Sequence, residues 1–462
     1  MKKIKLGLLP LYIQLYDDTS PELRPEVEAF YEAAADLLRG LDIDVITPPV
    51  CRIEKEFRDA IKAFREEGAV GIITLHLAYS PSLEAIDSIC ESRLPILSLD
   101  VTRAYSFGPG QSIDEINYNH GIHGSQDLCC MLNRRNIPYE IIAGHISSKR
   151  VADSVVSWAK AAQCTASLKN ARVGIIGAPF NGMGDFQAPY EVLSEKLGFS
   201  VVEYNCAAGR MALSELSETD ISEEVSLLKG IYDCSAVDHE NLVRTAKTNL
   251  VIREWRNREN LNAFTVNFLD AQKGAGLEMM PFTAASIAMS HGIGYAGEGD
   301  VLTAALVYAL ASIYKKTSFT EMFCPDWEGG SIYLSHMGEI NTALVAGEPR
   351  LLQKPFIYTD IGDSVSPCGL FTPGEAAIVN LAPTANDGFR LIVCMGRVLE
   401  VIGVDNMADC PHGWFKPDSN LDVFLEKYGK SGGTHHSALV YGVTVDEMGY
   451  FGNMAGFDTV FI

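Results

Sequence analysis

The chain has 462 residues and a strong acidic excess, with 37 Lys and Arg against 59 Asp and Glu and a formal net charge of −22. This charge repels phosphate backbones and anionic lipid surfaces, which argues against nucleic-acid and membrane partners. The longest apolar runs, such as residues 304–313, are shorter than the ~20 residues of a membrane-spanning helix. With 47% hydrophobic residues, the composition is typical of a globular protein, and the length predicts about three domains.

The first 170 residues alternate short β-branched segments with amphipathic helical segments, which favours a parallel sheet with crossover helices. Strands are predicted at residues 4–9, 44–47, 70–75, 95–99 and 139–143. Helices are predicted at residues 21–39, 54–67, 121–135 and about 149–168. This order predicts a doubly wound, Rossmann- or flavodoxin-like α/β domain over residues 1–170.

A second α/β unit begins at residue 171, where a strand runs into a glycine turn, followed by a helix to residue 197 and a strand at 200–204. A helix over 300–315, with Asp300 as its N-cap, closes this second doubly wound domain, which spans residues 171–317. Short strands separated by Gly and Pro turns dominate from residue 318 onwards. They predict a mostly β, barrel-like C-terminal domain over residues 318–462.

Glycine-rich segments in the second unit do not form a nucleotide-binding motif. Gly174 and Gly177 lie at the predicted strand, but the G-x-G-x-x-G spacing that places a pyrophosphate at a helix N-terminus is absent. A P-loop, an H-E-x-x-H motif and a G-x-S-x-G motif are also absent from the sequence. A nucleotide-dependent oxidoreductase is therefore a poor interpretation.

Charged and imidazole side chains occur instead within glycine-rich or apolar segments, where a solvated surface is not expected. They are Glu298, between two glycines, Glu321 and His336, beside apolar residues, and the pair His435 and His436. Carboxylates with imidazoles favour a divalent first-row metal, and manganese fits this set best. Because adjacent strand residues face opposite sides, we expect only one histidine of the pair to reach such a metal.

Each of these side chains also has a structural interpretation. Glu298 could be a first-turn acid that interacts with a helix dipole, Glu321 a charge at a strand edge, and His336 a hydrogen-bonded core histidine. Spacing alone does not decide between the two interpretations, because the four candidate positions match no local metal-ligand pattern.

The same motifs resemble those of the bacterial L-arabinose isomerases and, more distantly, the L-fucose isomerases. The resemblance rests on residues 294–306, Phe319-x-Glu321, His336-Met337 and residues 432–436. It implies that the metal ligands are Glu298, Glu321, His336 and His436, and that Glu298 and Glu321 also form the catalytic acid/base pair.

Weaker similarities extend over the rest of the chain and imply a set of substrate-binding residues: Gln14, His120, His123, Asp185, Phe268 and Met337. The family places the His123 motif at a subunit boundary, which implies a homo-oligomer, a trimer or a hexamer. The chain departs from the family pattern at Met322, where an acid is usual, and at His120, where a glutamine is usual, and its third domain is shorter. The identity of the sugar is therefore open.

The resemblance implies a metal-dependent isomerase that interconverts L-arabinose and L-ribulose, or a related pentose or 6-deoxyhexose pair, by proton transfer through an enediol. A non-catalytic sugar-binding protein of the same fold is the alternative, although binding alone does not need two acid/base carboxylates. Eleven scattered cysteines without a Cys-x-x-Cys pair are typical of reduced thiols and indicate a cytoplasmic protein.

Overall fold

The computed structural model describes residues 3–462, which divide into two compact units. The first unit runs to Gln163 and includes Gly449–Met454, and the second comprises Cys164–Met448 and Ala455–Ile462. Within residues 3–462, no helix combines the length and the hydrophobicity that crossing a bilayer requires.

The strands and helices alternate along most of the chain. In chain order the strands are β1 (Ile4–Leu11), β2 (Ile43–Ile46), β3 (Ile72–His76), β4 (Ile96–Thr102), β5 (Glu140–His145), β6 (Arg172–Ile176), β7 (Ser200–Glu203), β8 (Asp233–Ala236), β9 (Ala263–Val266), β10 (Gly294–Gly297), β11 (Thr317–Asp326), β12 (Ser331–Ser335), β13 (Arg350–Lys354), β14 (Ser364–Leu370), β15 (Gly374–Thr384), β16 (Gly388–Val398), β17 (Pro411–Pro417), β18 (His436–Tyr441) and β19 (Asp458–Phe461).

The α-helices are also numbered in chain order. They are α1 (Gln14–Thr19), α2 (Arg24–Gly40), α3 (Glu54–Glu66), α4 (Ser82–Ser92), α5 (Ile116–Asn119), α6 (Ile122–Arg134), α7 (Lys149–Lys169), α8 (Tyr190–Val192), α9 (Cys206–Glu215), α10 (Glu218–Ile231), α11 (His239–Arg258), α12 (Phe282–Ser290), α13 (Val301–Ala311), α14 (Leu421–Lys430) and α15 (Val445–Ala455).

The first unit contains a five-stranded sheet in the order β2-β1-β3-β4-β5, with every pair parallel. This is the flavodoxin-like, doubly wound order. All residues of β3 and most of β1 and β4 are buried, as expected for strands covered on both faces. The predicted doubly wound sheet is confirmed, and each of its five strands begins within two residues of the predicted start.

His76, the last residue of β3, lies beneath the start of α6, where a Cβ on Gly124 would meet its ring. Its side chain is buried, and neither ring nitrogen has a hydrogen-bond partner. Burial lowers the pKa of His76 to about 3, against a weaker opposing effect of Asp127. The folded protein therefore holds His76 neutral across the range in which an exposed histidine takes up a proton.

Acidification should consequently destabilise the first unit through His76. The unfolded chain protonates this histidine near pH 6.5 and the folded chain only near pH 3, so stability falls as the pH drops between these values. We expect His76→Leu to reduce the loss of unfolding free energy between pH 7 and pH 5 by about 2 kcal/mol, as measured by urea unfolding. His239→Leu, at an exposed histidine of α11, serves as the control. An unchanged pH slope in His76→Leu would contradict the assignment.

The second unit contains a parallel sheet in the order β10-β9-β6-β7 and a sheet of ten strands. The parallel sheet has the same doubly wound order, without a fifth strand. β8, which lies between β7 and β9 in the chain, leaves it and pairs with β13 of the ten-stranded sheet. The division at residues 171 and 318 stays a prediction, because this strand crosses over into the sheet of the C-terminal region.

The ten strands follow the order β19-β16-β15-β18-β11-β12-β17-β14-β13-β8. An additional antiparallel pairing of β16 with β17 closes six of them into a ring, which confirms the predicted barrel-like C-terminal region. Ten of the eleven residues of α13 are buried, and this helix packs against β10 as well as β11 and β18. The predicted N-cap of α13 is confirmed, since Asp300 accepts a hydrogen bond from the Thr303 backbone N–H at 2.8 Å.

Candidate active site

Glu298 directly follows β10, at the carboxyl edge of the second parallel sheet, where doubly wound folds bind their ligands. Its backbone has a φ of +58°, a conformation that costs free energy in a residue other than glycine and is concentrated at functional sites. The next residue must be glycine: Gly299 has a φ of +81°, and a Cβ there would lie 2.6 Å from the Ala178 carbonyl oxygen. The tight turn holds the Glu298 side chain in place.

Strand pairing brings the other candidate residues to Glu298. Glu321 of β11 lies opposite His436 of β18 on one side and Ser335 of β12 on the other. His336 follows β12 directly. A cross-strand pair projects its side chains from the same face of the sheet, so the ladder sets Glu321 beside His436.

Three imidazoles turn their Nε2 atoms toward the two glutamates. His436 Nε2 lies 3.1 Å from Glu321 Oε1 and 3.4 Å from Glu298 Oε2. His435 Nε2 lies 3.5 Å from Glu298 Oε2 and 3.6 Å from Glu321 Oε1. His336 Nε2 is 4.0 Å from Glu321 Oε1. All four residues that the resemblance names as metal ligands thus lie together, and His435 lies with them.

The structure does not support the expectation that only one of His435 and His436 reaches the metal, because the Nε2 atoms of both lie near Glu298. β18 begins at His436, and His435 lies in a bend before it, so the alternation of strand faces does not apply to the pair. Glu298, Glu321, His435 and His436 each offer a donor atom, and these four atoms all lie within 4.8 Å of one another.

Each imidazole also donates a hydrogen bond from Nδ1 to a carboxylate on its outer side. His436 binds Asp300 at 2.9 Å, and His336 binds Glu339 at 2.5 Å. His435 binds Asp185 at 2.6 Å through Nδ1, and its backbone N–H binds the same oxygen. Such outer partners fix the tautomer and the ring orientation of metal-binding histidines, and leave Nε2 free to bind.

Sequence reasoning missed two of these outer carboxylates. Asp300 was predicted only as a helix cap, and Glu339 was not considered. Glu339 is buried and also accepts a 2.6 Å hydrogen bond from the Tyr295 hydroxyl. The spacing of Glu339, three residues after His336, was the available signal for this contact, whereas Asp300 and His436 are far apart in the chain.

The donor set fits a divalent metal. Glu298 Oε2 and His436 Nε2 are buried and form no hydrogen bond in the structure. Buried polar atoms are rarely left unpaired without a water, an ion or a functional reason. Two carboxylate oxygens together with imidazole nitrogens suit a first-row divalent cation.

The charges of these groups reinforce one another. Burial opposes ionisation of Glu298, but the imidazoles of His435 and His436 lower the pKa of its carboxyl well below the usual range. Burial likewise opposes ionisation of Glu321, whose pKa is lowered by His436 and His336. Burial works against protonation of His436 too, yet Asp300 and the two glutamates raise its pKa well above the usual value. The site therefore keeps both glutamates anionic.

A cavity of about 190 Å³ adjoins Glu298 and His336. Two of the predicted substrate-binding residues, Phe268 and Met337, line it. Asp185 is not among the lining residues of this cavity and contacts His435 instead.

The remaining predicted substrate-binding residues belong to the first unit. Gln14 begins α1, and His120 and His123 lie at the junction of α5 and α6. His120 and His123 have ring centroids 6.0 Å apart, and Tyr16 hydrogen-bonds His120 Nε2 at 3.2 Å. His123 is exposed.

Comparison with solved structures gives a weak match to a sugar-binding protein. A periplasmic sugar-binding protein of an ABC transporter from Legionella pneumophila aligns with 11% identity and a TM-score of 0.16, over 67% of this chain and 93% of that one. This TM-score is too low to support a statement about the chain.

Sequence families and curated relatives give a consistent result. The N-terminal, central and C-terminal domain models of L-arabinose isomerase match residues 26–170, 192–316 and 316–458. L-arabinose isomerase of Geobacillus kaustophilus is 27% identical, over 90% of this chain and 85% of that protein. L-arabinose isomerase 1 of Bacillus licheniformis is 28% identical, over 96% of this chain and 87% of that protein. Because the three domain models together match most of its length, the chain belongs to the L-arabinose isomerase family and is an aldose–ketose isomerase.

Proposed function

We propose that the protein is a metal-dependent sugar isomerase that moves a proton between C1 and C2 of a monosaccharide. The observation that carries this proposal is the convergence of two anionic glutamates on buried imidazole nitrogens, with Glu298 Oε2 and His436 Nε2 left without hydrogen bonds. A sugar-binding protein without turnover has no need for two carboxylates at one point.

The proposed ligands of the metal are Glu298, Glu321, His336 and His436, and Mn²⁺ is the proposed ion. His435 is a further candidate, because its Nε2 faces the same two glutamates. A bound divalent ion would supply Lewis-acid polarisation of the two sugar oxygens.

The two glutamates are the proposed acid/base pair. One carboxylate accepts the proton from the sugar carbon, and the other serves the hydroxyl oxygens as the enediol forms and collapses. We assign the acid and base roles to the two glutamates jointly and not to either one. Two carboxylates that interact with the same imidazoles titrate together, so their apparent pKa values belong to the pair. Phe319 packs edge-on against both His336 and His436 and keeps water from that side of the site.

The proposed substrate is L-arabinose, a related pentose or a 6-deoxyhexose. The substrate-binding residues that we propose are Gln14, His120, His123, Asp185, Phe268 and Met337. We further propose a cytoplasmic homo-oligomer, a trimer or a hexamer, in which the exposed His123 reaches the site of a neighbouring subunit. Light scattering tests the assembly, and a fully active monomer would contradict it.

Metal content tests the site directly. We expect the purified protein to hold about one divalent ion per chain by elemental analysis, to lose turnover on chelation and to regain it with Mn²⁺. His436→Ala should lose the ion because its nitrogen lies closest to both glutamates.

Parallel analysis of His336→Ala and His435→Ala decides which of these two histidines is the fourth ligand. His291→Ala, at an exposed histidine after α12, is the control. Retention of the metal by both His336→Ala and His436→Ala would refute the ligand assignment. A metal-bound protein that binds sugars but turns over none of a panel of pentoses and 6-deoxyhexoses would contradict the catalytic mechanism.

A further inference from the structure

Most of the wall of the cavity beside Glu298 is apolar. Its lining includes the side chains of Val266, Phe268, Met280, Phe282, Met337 and Phe356. Three aromatic rings form a connected wall, since Tyr358 packs edge-on against Phe268 at 5.4 Å and against Phe356 at 5.1 Å between ring centroids. Met280, Phe282 and Phe356 are buried. A ligand that extends from the glutamates into this space meets hydrocarbon.

The polar groups of the inner wall are already paired with one another. The Tyr295 hydroxyl donates to Glu339 Oε1, and His336 Nδ1 donates to Glu339 Oε2. The backbone N–H of Gly338 donates to the same carboxylate. Tyr295 and Glu339 are both buried, so neither can turn to solvent or to a new partner without breaking this network. The hydrogen-bond donors of this network are therefore already engaged before a ligand enters the cavity.

The size of the cavity suits a short chain of carbon atoms. Its volume is about 190 Å³, and an apolar protein cavity of ~150 Å³ accommodates benzene. The cavity is continuous with Glu298 and His336, at the end of the site where C1 and C2 of the sugar are proposed to react. The carbons at the far end of the same sugar then fall among the apolar side chains.

We propose that this cavity selects aldoses whose far end is a methyl group over aldoses that end in a hydroxymethyl group. The inference rests on the proposed function, because it assumes that the reacting end of the sugar lies at the glutamates. A methyl group gains burial against Phe282, Phe356 and Met280. A terminal hydroxyl gives up water on entering the same space and meets mostly apolar side chains, a difference that corresponds to about 10- to 100-fold in affinity or kcat/KM.

Matched pairs of compounds that differ only in the terminal oxygen test the proposal on the metal-loaded protein. Binding is measured by calorimetry with alditols, which cannot be isomerised: L-fucitol against galactitol, L-rhamnitol against L-mannitol, and 5-deoxy-L-arabinitol against L-arabinitol. Turnover is measured with the corresponding aldoses. We expect the deoxy member of each pair that binds to be favoured by about 10- to 100-fold.

Variants at Met280 separate the polarity of the cavity from its shape. Met280→Gln adds a hydrogen-bonding group to the wall and should reduce the preference at least several-fold, whereas Met280→Leu keeps the wall apolar and should retain it. Circular dichroism confirms folding. If Met280→Gln does not fold, the three pairs measured on the parent protein still show whether the cavity prefers the deoxy member.

The outcomes separate this inference from the proposed function. Turnover without a preference for the deoxy members, or a preference for the hydroxymethyl members, overturns the inference and leaves the isomerase mechanism intact. Preferential binding of the deoxy alditols without turnover of any aldose supports the inference and contradicts the mechanism. Absence of both binding and turnover for all pairs overturns the inference.

Discussion

Replacement of Glu298 or Glu321 by glutamine is expected to lower kcat by about 10² to 10⁴, because an amide cannot accept a proton at neutral pH. Glutamine keeps the shape of the side chain and one oxygen, so the strained turn at Glu298 and the strand pairing at Glu321 should persist. Assays at saturating Mn²⁺, with the metal content of each variant measured, separate a lost proton acceptor from a lost ligand.

Glu375→Gln is a suitable control, since Glu375 is an exposed acid on β15 of the same sheet. Turnover in deuterated water adds an independent readout. Proton transfer through an enediol places some solvent deuterium on the carbon that gains the proton, whereas a hydride shift places none. A glutamine variant with near-parental turnover and bound metal would remove that glutamate from the proton path.

Asp300→Asn is expected to weaken divalent-metal binding by about 10- to 100-fold, the usual effect of losing a carboxylate behind a ligating histidine. Asp300 has two separate tasks: Oδ1 caps α13 through Thr303, and Oδ2 accepts the Nδ1 proton of His436. Asparagine retains one oxygen and can keep the cap. Its NH₂ group then faces His436 Nδ1 and cannot accept that proton, so the imidazole loses its fixed tautomer.

Asp238→Asn is the matched control, because Asp238 caps α11 through Asn241 in the same manner and its carboxylate hydrogen-bonds no histidine of residues 3–462. Metal affinity by competition with a chelating dye, and thermal unfolding with and without metal, are measured for both variants. We expect similar melting temperatures without metal and a smaller metal-induced rise for Asp300→Asn. Unchanged metal affinity in Asp300→Asn would show that the cap is its only role.

The first sheet was predictable because its strands are short, mostly apolar segments between amphipathic helices, and this alternation is visible in the hydrophobic pattern. The path of β8 was not predictable in the same way. Its residues Asp233–Ala236 carry few apolar side chains, and only its pairing with β13, more than a hundred residues later, assigns it to the ten-stranded sheet. Closure of the ring by β16 and β17 likewise depends on pairing that local sequence does not encode.

The same contrast holds within the site. Glu298 was recognisable from its flanking glycines, because an acidic residue within a glycine-rich turn is not expected on a solvated surface and indicates a functional position. His435 was assigned to the opposite face from His436 because both were taken as strand residues. β18 in fact begins at His436, so the alternation of strand faces does not apply to His435. The contact of Asp300 with His436 joins a helix start to a distant strand. No sequence-spacing rule relates residues so far apart in the chain, so only the structure shows this contact.

The closed ring of strands also limits how the site can open. β11 is paired on both sides, with β12 and β18, so local unfolding that exposes Glu321 must break two ladders at once. The segment at residues 177–189 contains neither helix nor strand, and within it only Asp185 hydrogen-bonds a site histidine. Breathing motions that admit or release small molecules should therefore be concentrated in this segment, with fast amide exchange there and slow exchange along β11.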